Sequence, residues 1–229
     1  MEIKLCSEEG ENRIFGLIAG RAGVGKPHQL TTLPKTQSLL VSVERGHLTL
    51  RGSNYAYVEP KSYDELVGFL NGFEKRFGEK IKYLYIDSLS EIYDLIRHEA
   101  RTQYKPSQNY AKHEDIEDKM ISLIRMCRSY EKISVFFTCH VKDDKDGLAM
   151  VENLAFDGKL PAKVLKQFDF CFHLGIKEEE GKIQRFMITS PLLSKCAKAR
   201  VSEFIKTKIE DVEPANLYRL CQKLLGGTE

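Results

Sequence analysis

Four positions carry side chains that could act together on a phosphate ester, and their spacing suggests how. The stretch Gly20-Arg21-Ala22-Gly23-Val24-Gly25-Lys26 fits G-x-x-x-x-G-K and directly follows the apolar run Arg13–Ala19. Glycines at such a turn let backbone N–H groups converge on a polyphosphate, and the lysine adds a mobile positive charge. A helix starting here, with Pro27 and His28 in its first turn, would present its N-terminus to the same anion. Three further polar residues end apolar runs: Glu44 after Ser38–Val43, Asp87 after Lys82–Ile86, and His140 after Ser134–Cys139. Glu44 is placed to orient and deprotonate an attacking water. Asp87 is placed to hold Mg2+ through water, although an aspartate there could equally start a helix as its N-cap. His140 could sense a terminal phosphate, or be structural.

Open α/β sheets bind ligands at the carboxyl ends of their strands, so the coincidence of four such ends carries more weight than any one residue. The motif departs from its usual form at one position. Where a Ser or Thr hydroxyl normally ligates Mg2+, Pro27 stands, and Thr31 and Thr32 come too late to replace it. Proline suits the first helical turn but offers neither a hydroxyl nor an N–H. The spacing therefore predicts nucleotide binding with weak hydrolysis.

The elements that must position these residues follow from hydrophobic periodicity. Apolar β-rich runs alternate with helical patterns, which predicts an α/β fold with a mostly parallel twisted sheet. Helices are expected from about Tyr63 to Phe77, over Glu91–Thr102 and over Asp115–Tyr130, with a closing helix over Asn216–Leu225. The pair Phe170–Ile176 and Arg185–Thr189, joined through EEEGK, predicts a hairpin at the sheet edge. Polar loops are expected over Gln103–His113 and Val141–Leu160. The whole chain, 1–229, reads as one domain, its core at about 13–200 and a tail over 201–229.

Composition narrows the function classes. The chain has 229 residues, 42% hydrophobic and 30% charged, with 35 basic against 33 acidic side chains and a net charge of +2. These values exclude disorder, collagen-like repeats and disulfide miniproteins. No apolar run approaches the 18 or so residues of a membrane span, and MEIKLCSEEGEN is too charged for a signal peptide, so a cytoplasmic location is expected. A pI near 8.1 lies below that of domains that coat duplex DNA electrostatically. The six cysteines contain no C-x-x-C pair and read as reduced, buried thiols.

The order GLIAGRAGVGK, LLVSVERGHLTL, YLYIDSLSEIY, VFFTCH and LAFDGKLPAKVLKQFDFCFHL resembles the RecA-like branch of P-loop ATPases. More narrowly, it resembles the short, core-only phage relatives of RecA and RadA among single-strand annealing recombination proteins. The resemblance runs from about Phe15 to Arg200 and implies a RecA-like core with an edge hairpin, ATP and Mg2+ as cofactors, and a homo-oligomer, ring or filament. It assigns Lys26 to phosphate, Glu44 to catalysis, Asp87 to Mg2+ and His140 to the sensor position. Lys198-Ala199-Arg200 matches a Lys-x-Arg that reaches a neighbouring subunit's nucleotide, where arginine stabilises charge on the transferred phosphoryl group.

The same resemblance implies single-stranded DNA as partner, with a single-strand-binding protein beside it. Tyr104, Lys105, Tyr110 and Lys112 in the first polar loop suit base stacking and phosphate contact. In the second, Lys142, Lys145 and Lys159 are opposed by Asp143, Asp144 and Asp146. Two alternatives stay open: a degenerate nucleotide-binding structural or interaction module without significant ATPase activity, which Pro27 favours, and a P-loop kinase of small molecules.

Overall fold

The computed structural model describes residues 13–146, 149–179, 181–191, 195–200 and 209–226. Cys6 therefore lies outside the described residues, as do parts of the second polar loop and of the tail.

Six parallel strands form the centre of a mixed sheet in the order β7, β1, β5, β4, β2, β3. They are β1 (Phe15–Gly20), β2 (Ser38–Ser42), β3 (Ala56–Val58), β4 (Tyr83–Asp87), β5 (Ser134–Asp146) and β7 (Phe170–Glu179). Antiparallel strands extend it beyond β7: β8 (Lys182–Ile188), and outside it β10 (Val212–Pro214). The hairpin expected at the edge is thus itself covered by β10. A short β9 (Lys198–Ala199) pairs with the start of β7, and β6 (Ala149–Leu154) pairs with the outer half of β5.

Alternation along the strands builds two cores. On one face Phe15, Leu17, Leu84, Ile86, Val135 and Phe137 are buried under five helices. These are α1 (Tyr63–Leu70), α2 (Phe73–Phe77), α3 (Leu89–Gln103), α4 (Asn109–Arg128) and α5 (Leu160–Gln167). On the other, Ile18, Leu40, Tyr85, Phe136, Phe172 and Leu174 pack against Val24, Leu30 and α6 (Leu217–Leu224). Aromatic rings concentrate in the first core. Phe168 stacks on Phe15 at 5.0 Å between centroids and meets Phe137 edge-on at 5.6 Å. Phe168→Ala is expected to cost about 3–5 kcal/mol, because a buried ring leaves a cavity as well as lost transfer energy. Urea unfolding measures it, and a loss below about 1 kcal/mol would show that this layer is not tightly packed.

The structure corrects four sequence expectations. The helix expected from Tyr63 to Phe77 is two helices, because Gly72 adopts a left-handed φ of +69° between them. The helix expected from Asp115 starts at Asn109, so Tyr110 and Lys112 sit on α4 and not in a loop. The helix expected after Lys26 is a six-residue 3-10 helix, Pro27–Thr32. Its hydroxyls turn back on the backbone, Thr31 onto the His28 carbonyl and Thr32 onto that of Gln29, each at 2.8 Å, and a following Pro34 prevents continuation. Finally, the polar run after His140 continues β5, so that Val141–Leu160 is largely a β5–β6 hairpin followed by the start of α5. Main-chain pairing overrides the charged side chains there, which places Asp143 opposite Glu152; Arg21 offsets that like-charge pair by binding both.

Candidate functional site

The carboxyl ends of β1, β2 and β4 and the middle of β5 meet in one cleft of about 560 Å3. Its lining includes Gly23, Gly25 and Lys26 of the glycine turn, Pro27 and His28 after it, and Glu44, Asp87 and His140. Parallel pairing sets their level: Gly20 is opposite His140 across β1 and β5, and Ser42 opposite Asp87 across β2 and β4. His140 is therefore in register with the turn, although its strand runs on past it.

Gly23 and Gly25 have φ of +78° and +94°, which turns the backbone inward where a side chain would be strained. Gly20 is tight for another reason: a Cβ there would lie 2.7 Å from the Leu174 carbonyl. Val24 is buried in the second core and anchors the turn to the sheet. Tyr85, buried beneath, donates its hydroxyl to the Lys26 carbonyl.

Lys26 is 4% exposed. Its Nζ donates to the carbonyls of Gly20 and Arg21, both at 3.0 Å, and lies 3.1 Å from His140 Nδ1. An ammonium only donates, so Nδ1 accepts, leaving Nε2 as the protonated nitrogen. That nitrogen donates to Glu44 at 2.9 and 3.2 Å. Lysine, histidine and glutamate thus form one hydrogen-bonded chain across the cleft.

The titrating groups are set against each other. Burial lowers the Lys26 pKa, while the carboxylates of Glu44 and Asp87 work in the opposite direction. The hydrogen bond from His140, with a second from Ser88 at 2.6 Å, outweighs desolvation and draws Glu44 down to about 2. Asp87, 2% exposed, is shifted upward by burial despite the hydroxyl that Thr138 donates to its Oδ1. Gly46 makes room for the other oxygen: a Cβ there would lie 1.9 Å from Asp87 Oδ2. Ser88, and not Asp87, caps α3, since its hydroxyl accepts from Glu91 N. The helix-cap alternative for Asp87 therefore falls away.

A family model described as an AAA domain matches residues 12–201, nearly the whole extent of the sheet and its helices. The chain belongs to this AAA domain family. It is a P-loop NTPase family, and the mostly parallel sheet flanked by helices is consistent with such a core. No curated protein matches the chain.

P-loop ATPase domains generally bind nucleotide with Mg2+. In this AAA domain Asp87, a carboxylate lining the cleft, would hold such an ion through water, and no hydroxyl follows Lys26 to enter its inner shell. Among the described residues no group of three His, Cys, Asp or Glu side chains is placed to hold a metal directly.

Other expected residues lie apart from the cleft. Arg21 turns outward: its Nε donates to Glu152 at 2.8 Å and Nη2 to Asp143. Glu152 is buried and also meets Lys195 at 2.9 Å and His173 at 3.1 Å. Lys198 donates to the carbonyls of Leu165 and Phe168 at the end of α5, and Arg200 pairs with Asp169 at 3.2 Å, sharing it with Arg128. Within one chain both thus hold the end of α5 and neither lines the cleft. Tyr104 packs partly against the first core, while Tyr110 is 83% exposed on α4, Lys112 is half-buried on the same helix, and Lys105 lies exposed before it.

The sequence reading missed Arg185, which enters the cleft from β8. Its position at the head of a predicted strand was visible, but nothing in the sequence shows that β7 pairs with β1 and swings β8 toward the glycine turn. A second cleft of about 430 Å3 was missed as well. It is lined by His47, Arg51, Tyr55 and Tyr57, and shares Leu48 with the first; His47 stacks on Tyr57 at 4.4 Å.

Proposed function

We propose that this chain is a RecA-like ATP-binding protein that acts on single-stranded DNA in recombination and repair, of the core-only phage kind, and works as a homo-oligomer, ring or filament. The observation that carries the nucleotide part is Lys26, set in a glycine turn after β1 and hydrogen-bonded through His140 to Glu44 in one cleft. Lys26 binds the phosphates, Glu44 orients water, and Asp87 holds hydrated Mg2+. The adenine is assigned to the second cleft, where exposed Leu48 and the stacked His47 and Tyr57 offer a flat apolar surface. Glu44 must release His140 to act as a base, since a carboxylate drawn down to about 2 accepts protons poorly at neutral pH.

The DNA part is supported by Tyr110, whose ring is open to stacking, with Lys105 and Lys112 near it in sequence. Lys198 and Arg200 are assigned to the neighbouring subunit's phosphates, a role that requires Arg200 to leave Asp169 on assembly. A single-strand-binding protein fits as partner and the cytoplasm as location. No helix among the described residues is long and apolar enough to cross a membrane. The degenerate-module alternative is favoured by one observation, Pro27 in place of the metal-binding hydroxyl.

The test is steady-state ATP hydrolysis with and without single-stranded oligonucleotide, paired with light scattering with and without a non-hydrolysable analogue. Slow turnover, stimulated about threefold or more by DNA, and self-association with analogue are expected. Tyr110→Ala should remove most of the stimulation, since a stacked base contributes about 1–3 kcal/mol. A strict monomer whose turnover ignores DNA would sink the DNA and oligomer parts, and no detectable turnover would favour the degenerate module.

A further inference from the structure

The phosphate cleft contains a cation that the glycine-turn motif does not include. Arg185 pairs with Ile176 across the β7–β8 hairpin and, by alternation, shares its face with buried Met187, in the same core as Val24. From there its side chain crosses directly over the glycine turn. Nε donates to the Val24 carbonyl at 3.0 Å. A Cβ on Gly25 would lie 2.7 Å from Nε, 3.4 Å from Cδ and 3.5 Å from Cζ. The glycine before Lys26 is thus required twice, by its φ of +94° and by this arginine.

We propose that Arg185 is a second phosphate-binding cation of the cleft, supplied by the same chain, and that it makes nucleotide binding unusually tolerant of Mg2+ removal. This rests on the nucleotide-binding reading of the cleft. The Val24 carbonyl uses one of the five guanidinium N–H groups and fixes the plane; among the described residues the four on Nη1 and Nη2 have no acceptor. They form a fork suited to two phosphate oxygens. Neither carboxylate of the cleft claims them, because Glu44 is held by His140 and Ser88 and Asp87 accepts from Thr138. A nucleotide tail brings several negative charges, and Lys26 supplies one cation. Pro27 provides no hydroxyl to fix a metal ion beside it, so the fixed charge of Arg185 stands in the same electrostatic balance.

Calorimetry with a non-hydrolysable ATP analogue, in Mg2+ and in EDTA, tests this on the full chain and on Arg185→Ala, Arg185→Lys and Lys26→Ala. The native protein should lose no more than about tenfold in affinity in EDTA. Arg185→Ala should lose about tenfold or more in EDTA and less in Mg2+, because a bidentate charge-assisted contact is of that size. Arg185→Lys, a charge without the fork, should fall between. The loss should be the same at dilute and concentrated protein, as a contribution from within the chain requires. Melting temperatures of the two arginine variants close to native would exclude a folding defect; if Arg185→Ala does not fold, Arg185→Lys carries the comparison. If Arg185→Ala binds within twofold of native in both buffers while Lys26→Ala loses binding, the cleft stands and the role of Arg185 is refuted. If Lys26→Ala also binds like the native chain, the nucleotide reading itself fails.

Discussion

Lys26→Ala is expected to reduce ATP affinity by about 100-fold or more and to remove any hydrolysis. Two charge-assisted hydrogen bonds to phosphate contribute on the order of 3–4 kcal/mol together, and each 1.4 kcal/mol is a factor of ten. The loss is sharpened by where the lysine sits. It is 4% exposed, and its three N–H groups are held by the carbonyls of Gly20 and Arg21 and by His140 Nδ1, so the ammonium sits beside the glycine turn and exchanges these partners for phosphate oxygens on binding. Removing it also leaves His140 Nδ1 without its donor and ends the chain that joins the glycine turn to Glu44. The fold should survive, because the carbonyls released open onto a cleft that water enters. Equilibrium binding of a fluorescent ATP analogue, with a thermal melt as control, reads both quantities. A variant that melts like native and binds within threefold of it would move the site elsewhere.

Pro27→Thr should act in the opposite direction, raising Mg2+-dependent turnover by about tenfold or more. The substitution restores a hydroxyl and an N–H at the head of the 3-10 helix, where the preceding Lys26 already has right-handed helical φ and ψ of −53° and −52°. One new interaction made to the developing charge needs to contribute only about 1.4 kcal/mol for such a gain. Some stability should be lost, about 0.4–1 kcal/mol, since proline restricts the unfolded chain. Neighbours impose a limit too: Pro27 Cγ lies 3.4 Å from where a Cβ on Gly46 would stand, so threonine enters a close-packed corner. Rates measured across a Mg2+ titration decide the point. Turnover equal to or below native at every concentration would mean that the proline does not limit catalysis.

The parallel sheet and most of the cleft were legible because both depend on local rules. An apolar run that ends in a charged or polar residue reads the same in sequence and in space, and this put Lys26, Glu44, Asp87 and His140 together. What escaped depends on pairing between distant segments. The run VKDDKD looks like a solvated loop, and only its ladder with Ala149–Leu154 makes it a strand. Helix α4 begins earlier than its apolar face, because Asn109 to Glu114 are exposed or half-buried positions wound in ahead of the first buried residue, Ile116. Strands β3 and β10 are three residues each, too short to show a period. Arg185 escaped because only the pairing of β7 with β1 brings the expected hairpin to the glycine turn, and the intrachain contacts of Lys198 and Arg200 at the end of α5 likewise depend on distant segments.

Arg21 gives the glycine turn a mechanical neighbour. One guanidinium joins the turn to both strands of the β5–β6 hairpin, at Asp143 and Glu152, and Glu152 extends the link to Lys195 and His173. Two parts of the surface, far apart in sequence, therefore share a single attachment. Reciprocity then holds whatever the ligands are. If binding at the hairpin pulls Asp143 or Glu152 from Arg21, it changes the free energy of occupying the turn, and occupying the turn changes hairpin binding by the same amount.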